Sequence, residues 1–264
     1  MSIVQTAERV SLSPSDNYVF QRSLFAYKEA SKIIHGKVLE IGTGNGYGIK
    51  EIAPKAKEFW TLDKHYISIN YKRYSNTRFI KNTVPPLANM PDSYFDFVIC
   101  FQVIEHIRDS NFLLNEINRV LKNHGTLIIS TPNIKMSLTR NPWHVKEYTG
   151  QEFFEFLSQI FKRIEAKGIQ GNKNAISYYE KNKASVQRIL KFDVLRLNLL
   201  LPCWLLKIPY DLMNRVNRVL LLNKNKQLTS SISVEDYSIG EFTDDSFDLF
   251  FIAQKLEARV PFDQ

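Results

Sequence analysis

Val38-Leu39-Glu40-Ile41-Gly42-Thr43-Gly44-Asn45-Gly46-Tyr47-Gly48 decides how this chain folds. Apolar residues lead up to Ile41, glycine then takes every second position from Gly42 to Gly48, and Ile49-Lys50-Glu51-Ile52-Ala53 follows. That order predicts a buried strand, a tight turn and a helix start. Glycines suit a turn whose backbone angles exclude a Cβ and whose main chain a ligand approaches closely. A small molecule is therefore expected where the strand ends.

A dinucleotide fingerprint, G-x-G-x-x-G, needs a third glycine so that the helix packs closely on the strand; counted from Gly42, that place holds Tyr47. Glu40 would also repel a pyrophosphate, whereas it suits the ammonium of an amino-acid ligand. Phe59-Trp60-Thr61-Leu62-Asp63, about twenty residues on, is a second apolar run, and its carboxylate is placed to accept from ribose hydroxyls. A nucleoside that carries an amino acid, S-adenosylmethionine, satisfies both ends.

Further along, Phe95-Asp96-Phe97-Val98-Ile99-Cys100-Phe101 reads as another buried strand and delivers Gln102, Glu105 and His106 at the carboxyl end of the sheet, where open α/β folds bind ligands. Leu127-Ile128-Ile129-Ser130-Thr131-Pro132-Asn133 follows after a helix capped by Asp109 or Ser110, with Phe112, Leu113, Ile117, Val120 and Leu121 on one face. The glycine turn, Asp63 and these two runs resemble, in order and spacing, the class I S-adenosylmethionine-dependent methyltransferases. The similarity covers most of roughly the first 170 residues.

The resemblance implies an α/β, Rossmann-like, doubly wound sheet of seven mostly parallel strands, its antiparallel last strand preceded by a helical insertion. On that plan residues 1–264 form one domain: lead-in and cap helix 1–35, cofactor-binding core 36–168, insertion 169–245 and last strand 246–256. It further implies a cofactor site of Glu40, Gly42, Thr43, Gly44, Gly46, Asp63, Asn82, Thr83, Phe101 and Gln102. Asn82 stands where the family commonly has an aspartate that meets the adenine amino group; an amide carbonyl can accept the same hydrogen bond. Tyr27, on the N-terminal helix, could lie over the methionine end, although an aromatic at helical spacing more often packs in a core.

Methyl transfer to an alcohol needs an in-line nucleophile and a route for its proton. Glu105, His106 and His144 can take a proton near the sheet's carboxyl end, and imidazole matches neutral pH best. His144 is the preferred base and His106 the second, with Glu105 turning the loop or capping a helix. The sequence shows no Asp/Asp/Asn or His/carboxylate grouping of the catechol-type enzymes, so no metal is expected. An Asn/Asp-Pro-Pro-Tyr/Phe motif and a Pro-Cys nucleophile are absent, which excludes two other methyltransferase chemistries. The leading reading is O-methylation of a glycan intermediate or small metabolite. The alternatives are a non-catalytic S-adenosylmethionine-binding module and an RNA methyltransferase using its basic segment.

Charge bears on that last choice. The chain carries +8, and the stretch from Lys181 to Lys226 holds ten lysines and arginines against Asp193 and Asp211, equal to the whole net charge. Confined to a leucine-rich segment without interleaved exposed aromatics, this basicity argues against nucleic acid and for an acidic substrate or a membrane surface. Residues 190–222 supply Leu195, Leu197, Leu199, Leu200, Trp204, Ile208, Leu212, Val216 and Leu220 beside Arg196, Lys207, Arg215 and Arg218. Pro202 and Pro209 are expected to break this helical stretch. It serves either as a lid with buried leucines and solvated cations, or as a peripheral contact with an anionic membrane. Two cysteines, Cys100 and Cys203, without metal spacing, and a start from Met1 to Arg9 without a basic and apolar leader, point to the cytoplasm. Oligomeric state is not legible.

Overall fold

The structure is a computed structural model that describes residues 9–66, 70–191, 193 and 197–256. Among the described residues eight strands form one sheet: β1 (Lys37–Ile41), β2 (Glu58–Asp63), β3 (Thr77–Lys81), β4 (Phe95–Phe101), β5 (Leu121–Pro132), β6 (Arg163–Gly171), β7 (Tyr237–Glu241) and β8 (Asp248–Gln254). Their order is β3-β2-β1-β4-β5-β8-β6-β7. The first five run parallel, while β8 is antiparallel to both β5 and β6, and β6 to β7.

The sheet reverses its winding between β1 and β4, so the loops after those strands open a crevice at their carboxyl ends, the place for a ligand in such folds. Alternate residues of β4 serve opposite faces. Val98 and Cys100 pack with Leu113, Leu114 and Ile117 of α3 (Ser110–Val120) and with Phe153 and Leu157 of α4 (Gly150–Ser158). Phe97, Ile99 and Phe101 pack on the other face with Tyr18, Phe25, Ala26 and Tyr27, which lie on the N-terminal helix α1 (Asn17–Ser31). α2 (Ile49–Ile52) completes that layer beside β1.

Asp109 caps α3 by accepting from the Phe112 N–H at 2.9 Å, as expected, and Thr149 with Glu152 forms a capping box on α4. Phe112 departs from the expected apolar face and is exposed, because the buried stripe is Leu113, Leu114, Ile117 and Val120. In α1 the buried face carries Tyr18, Phe25, Ala26, Tyr27 and Ala30, so Phe20 and Leu24 sit at its margin.

Three expectations about the second half change. The sheet has eight strands, because Tyr237–Glu241 adds an edge strand to β6 from inside the stretch assigned to the insertion. The insertion is otherwise helical: α5 (Lys173–Leu190), α6 (Leu197–Leu200), α7 (Cys203–Lys224) and α8 (Lys226–Ser231). Pro202 ends up as the N-cap of α7, but Pro209 lies inside it and the helix continues, since only one backbone hydrogen bond is forfeited at an exposed turn. The leucines are not buried either. Leu200, Trp204, Ile208 and Leu212 are 63–79% exposed, whereas Leu221 is buried. Arg215 and Arg218 are not simply solvated cations: both reach the buried Asp16 carboxylate, Arg218 at 3.0 Å. Leu195 and Arg196 lie outside the described residues, as do the side chains of Leu197 and Leu199.

Candidate active site

Two neighbouring strand ends build the site. At the end of β1 the chain turns through Gly42, Gly44 and Gly46, all with positive φ. A Cβ on Gly44 would meet nothing within 4 Å, so the main chain there faces open space that a ligand can enter. Gly48 has a different reason: a Cβ there would stand 2.2 Å from the Tyr27 ring, so the fourth glycine lets α1 close over the turn.

Glu40 is 1% exposed and paired in register with Thr61 on β2, whose hydroxyl donates to Oε2 and in turn meets Thr43 Oγ1 at 2.6 Å. Burial pushes the Glu40 carboxyl up to about 7, against hydrogen bonds from Thr61 and Tyr27 that lower it. Its Oε1 has no hydrogen-bond partner among the described residues. A buried, unsatisfied carboxylate oxygen beside a glycine turn fits an ammonium group. Tyr27 is buried between Tyr47 and Phe101.

Asp63 ends β2 as expected, but its carboxylate is already engaged. Oδ2 accepts from the Gly44 N–H at 2.8 Å, and Oδ1 from Arg9 at 2.7 Å and the His65 N–H at 2.8 Å. It thereby ties the glycine turn to the neighbouring strand. The Asn82 N–H donates to the Asp63 carbonyl, which brings Asn82 and the exposed Thr83 to the same corner. Phe101 is buried against Tyr27 and Phe250, which leaves only its main chain for a ligand. Gln102 has a φ of 54°, uncommon for a residue with a side chain, and its N–H is fixed by the Ser130 carbonyl at 2.9 Å.

The end of β4 builds the other half. Glu105 is 1% exposed; Oε2 accepts from Thr131 at 3.0 Å, and its main-chain carbonyl accepts from the Val145 N–H at 2.6 Å. It thus holds the loop after β5 against the end of β4 and caps no helix. Through that contact His144 is brought to His106, with ring centroids 4.9 Å apart. One ligand-type atom from each of Glu105, His106 and His144 lies within 4.8 Å of the other two. The His/carboxylate grouping that the sequence does not display is therefore present in space.

Each ring is oriented by a neighbour. His106 Nδ1 lies 2.9 Å from the Trp143 carbonyl, and His144 Nδ1 lies 2.6 Å from Glu147 Oε1. Burial raises the Glu105 carboxyl, and the two histidines only partly offset it. Burial would also raise Glu147, but hydrogen bonds from His144 and Ser137 outweigh it and hold that carboxyl below its ordinary value. Glu147, Asn141, Trp143, Thr61 and Thr131 are site residues that sequence reading missed. Glu147 follows His144 by three positions, a spacing that could have drawn notice; Thr61 needed the β1–β2 register, and Thr131 the β4–β5 contact.

A cavity of about 890 Å³ opens over the two histidines, lined also by Lys64, Arg108, Asn141, Trp143 and Lys207. α7 shapes its rim. Asp211 accepts from the Trp143 indole at 2.9 Å, and Lys207 sits 4.0 Å over that ring. A second, apolar cavity of about 570 Å³ lies between α1, α5 and α7 and shares the 137–142 loop, His144 and Glu147 with the first.

Residues 18–168, more than half of the chain, match a family model described as a methyltransferase domain. The chain belongs to that family. Its glycine turn and strand motifs are those of the class I S-adenosylmethionine-dependent methyltransferase family. It is 34% identical over 150 residues to a probable S-adenosylmethionine-dependent methyltransferase of Mycobacterium tuberculosis, covering 54% of each chain. It is 35% identical over 158 residues to a counterpart in Mycolicibacterium smegmatis, covering 57% of this chain and 61% of that one. A ubiquinone biosynthesis O-methyltransferase of Rickettsia bellii is 29% identical over 124 residues, covering 44% of this methyltransferase and 49% of the relative. The chain thus spans about half the length of the curated relatives it matches. Among solved structures, a possible histamine N-methyltransferase of Thermotoga maritima aligns over 90% of this chain and 91% of its own. Its TM-score is 0.54 at 13% identity, which speaks for the fold alone. Methyltransferase membership accounts for the glycine turn and the crevice; it leaves the acceptor open.

Proposed function

We propose that this methyltransferase O-methylates a hydroxyl of a glycan intermediate or a small hydroxylated metabolite by direct displacement. The acceptor oxygen attacks the sulfonium methyl, the carbon–sulfur bond breaks with its electron pair going to sulfur, and the hydroxyl proton is lost at the cluster of Glu105, His106 and His144. Glu40 receives the donor's ammonium, Gly44 and Gly46 its backbone approach, and Asp63 its ribose. The observation that carries the acceptor half is the pair of oriented histidines beneath a large cavity that carries lysines, arginines and a tryptophan on its wall. Polar cations and an aromatic face suit a polyhydroxylated ring better than an apolar amine. The O-methyltransferase name of one relative points the same way. Incubation with methyl-labelled cofactor and a panel of sugars and phenols, read by mass spectrometry, tests this: label should appear on oxygen. Label found only on nitrogen or on RNA removes the reading.

The approach of the acceptor is part of the same proposal. Trp204, Ile208, Leu212, Val216 and Leu220 recur every four residues along the outer face of α7, all exposed, while Leu206, Tyr210 and Asn214 line the apolar cavity on its inner side. A helix apolar on two faces needs a second covering surface. Its cationic surroundings select an anionic bilayer, with the helix lying in the interface, since no described helix is long and apolar enough to cross a membrane. The methyltransferase should co-sediment with anionic but not neutral vesicles and lose that binding when Trp204, Ile208 and Leu212 are changed to serine. Recovery in the supernatant with both vesicle types overturns the membrane contact, and dimerisation through the stripe would assign it to a second copy.

A further inference from the structure

We propose that Glu105, His106 and His144 form a binding site for a divalent transition-metal cation that also holds the acceptor oxygen. The inference rests on the O-methyltransferase reading above and says how the cluster would lower the acceptor's pKa.

The first support is the donor set. Two imidazoles and one carboxylate, brought from two separate loops, are the ligand types of open sites for Mn²⁺, Fe²⁺ or Zn²⁺. Their ligand atoms lie within 4.8 Å of one another, and His106 Nε2 stands 4.0 Å from Glu105 Oε1. Metal bonds of about 2.1 Å place donors roughly 3 to 3.5 Å apart, so the three need contract by about an ångström.

The second support is independent: the ring tautomers. A carbonyl oxygen only accepts, so His106 Nδ1 carries the hydrogen bonded to Trp143, and the neutral ring keeps its lone pair on Nε2. His144 Nδ1 faces Glu147 in the same way. Its Nε2 meets Asn141 Nδ2 at 2.8 Å, and the Asn141 amide is oriented by the Trp143 N–H, which donates to Oδ1. Nε2 of His144 is therefore an acceptor too, and a cation would displace the Asn141 N–H there. A histidine whose outer nitrogen donates to a carbonyl or a carboxylate is the arrangement that orients metal ligands.

The third is charge. Glu105 is buried, and among the described residues its carboxylate is met by the Thr131 hydroxyl and, at 4.0 Å, by His106 Nε2, with no lysine or arginine bonded to it. A bound cation would supply the missing counter-charge and leave coordination positions facing the large cavity. A hydroxyl bound there would give up its proton to solvent water in the open cavity, and the metal-held alkoxide would attack the methyl carbon while sulfur takes the bond pair. No redox change is involved.

Manganese provides the probe, because its electron paramagnetic resonance signal broadens when the ion leaves bulk water for a protein. Metal-depleted protein should bind one Mn²⁺ per chain. His144→Gln and His106→Asn should each weaken that binding at least tenfold, while His124→Asn, near the start of β5 and away from its site end, should not. Calorimetry with S-adenosylhomocysteine runs alongside to report folding and the donor site. Activity on the acceptor found above should be lost with a chelator and return with Mn²⁺ or Zn²⁺. Normal S-adenosylhomocysteine binding without Mn²⁺ binding, or Mn²⁺ binding equal in the variants, overturns the metal site and leaves the methyltransferase reading standing with an imidazole base. Absence of S-adenosylhomocysteine binding in the folded wild-type protein would instead sink the donor-site reading on which this proposal rests.

Discussion

Glu40 and Glu105 are two buried carboxyls near the ends of adjacent parallel strands, and burial raises both, yet their surroundings differ. Glu40 closes β1 among Thr61, Thr43 and Tyr27 and keeps one oxygen unpartnered beside a glycine turn. Glu105 follows β4 with two histidines at its side and a large cavity above. On the proposed reading, one carboxyl receives a cationic ligand group and the other organises proton loss. The lesson is that desolvation alone assigns no role; the neighbouring donors do.

The largest expected effect falls on the acceptor side. His144→Ala should lower turnover on the order of a hundredfold or more and leave cofactor affinity nearly intact. A smaller loss from His144→Ala than from His106→Ala would move the main role to His106. On the donor side, Glu40→Gln removes a charge-assisted bond to the ammonium and should weaken S-adenosylhomocysteine binding about tenfold to a hundredfold, with stability preserved or improved.

Protonation sharpens the contrast. Because the folded-state pKa of Glu40 is raised from 4.5 to about 7, the folded apo protein holds a proton that the unfolded chain has released. Apo stability should therefore fall as pH rises from 4.5 to 7, by an amount on the order of 3 kcal/mol, and level off above. Ligand binding needs the carboxylate, so cofactor affinity should rise over the pH units just below 7 and then flatten. Calorimetry in two buffers of different ionisation enthalpy should register the released proton near pH 6. Glu40→Gln should flatten both profiles; profiles unchanged in that variant would take the titration away from Glu40.

The smallest effect concerns the segment that carries His144. Thr149 closes that loop by capping α4, so Thr149→Ala should destabilise the fold by about 1 kcal/mol in denaturant titration. A larger fall in turnover than stability explains would mean that the cap also positions the loop.

The two regions were not equally legible. Glu40, Gly42, Gly44, Gly46 and Asp63 lie within two local motifs, and β1, β2, β4 and β5 follow from apolar runs whose spacing is fixed by short crossovers. The fold class was therefore readable from the first half of the chain. The acceptor side is assembled from residues far apart in sequence: His106 and His144 meet where the Glu105 carbonyl takes the Val145 N–H and His106 reaches the Trp143 carbonyl, and Trp143 is fixed by Asp211 from α7. No periodicity encodes such contacts. The insertion misled for a related reason, since leucines at helical spacing suggest a core, whereas on α7 one face lines a cavity and the other meets solvent. β7 escaped because Tyr237-Ser238-Ile239-Gly240-Glu241 is short, polar at alternate positions and interrupted by glycine.

Calorimetric titration of S-adenosylhomocysteine into Glu40→Gln and His144→Gln, with turnover measured on the same preparations, tests the division between the two carboxyl regions most directly. Glu40→Gln should bind at least tenfold more weakly than wild type, and His144→Gln within about twofold of it while nearly inactive. Equal affinity losses in both variants, or an unchanged affinity in Glu40→Gln, would contradict that division.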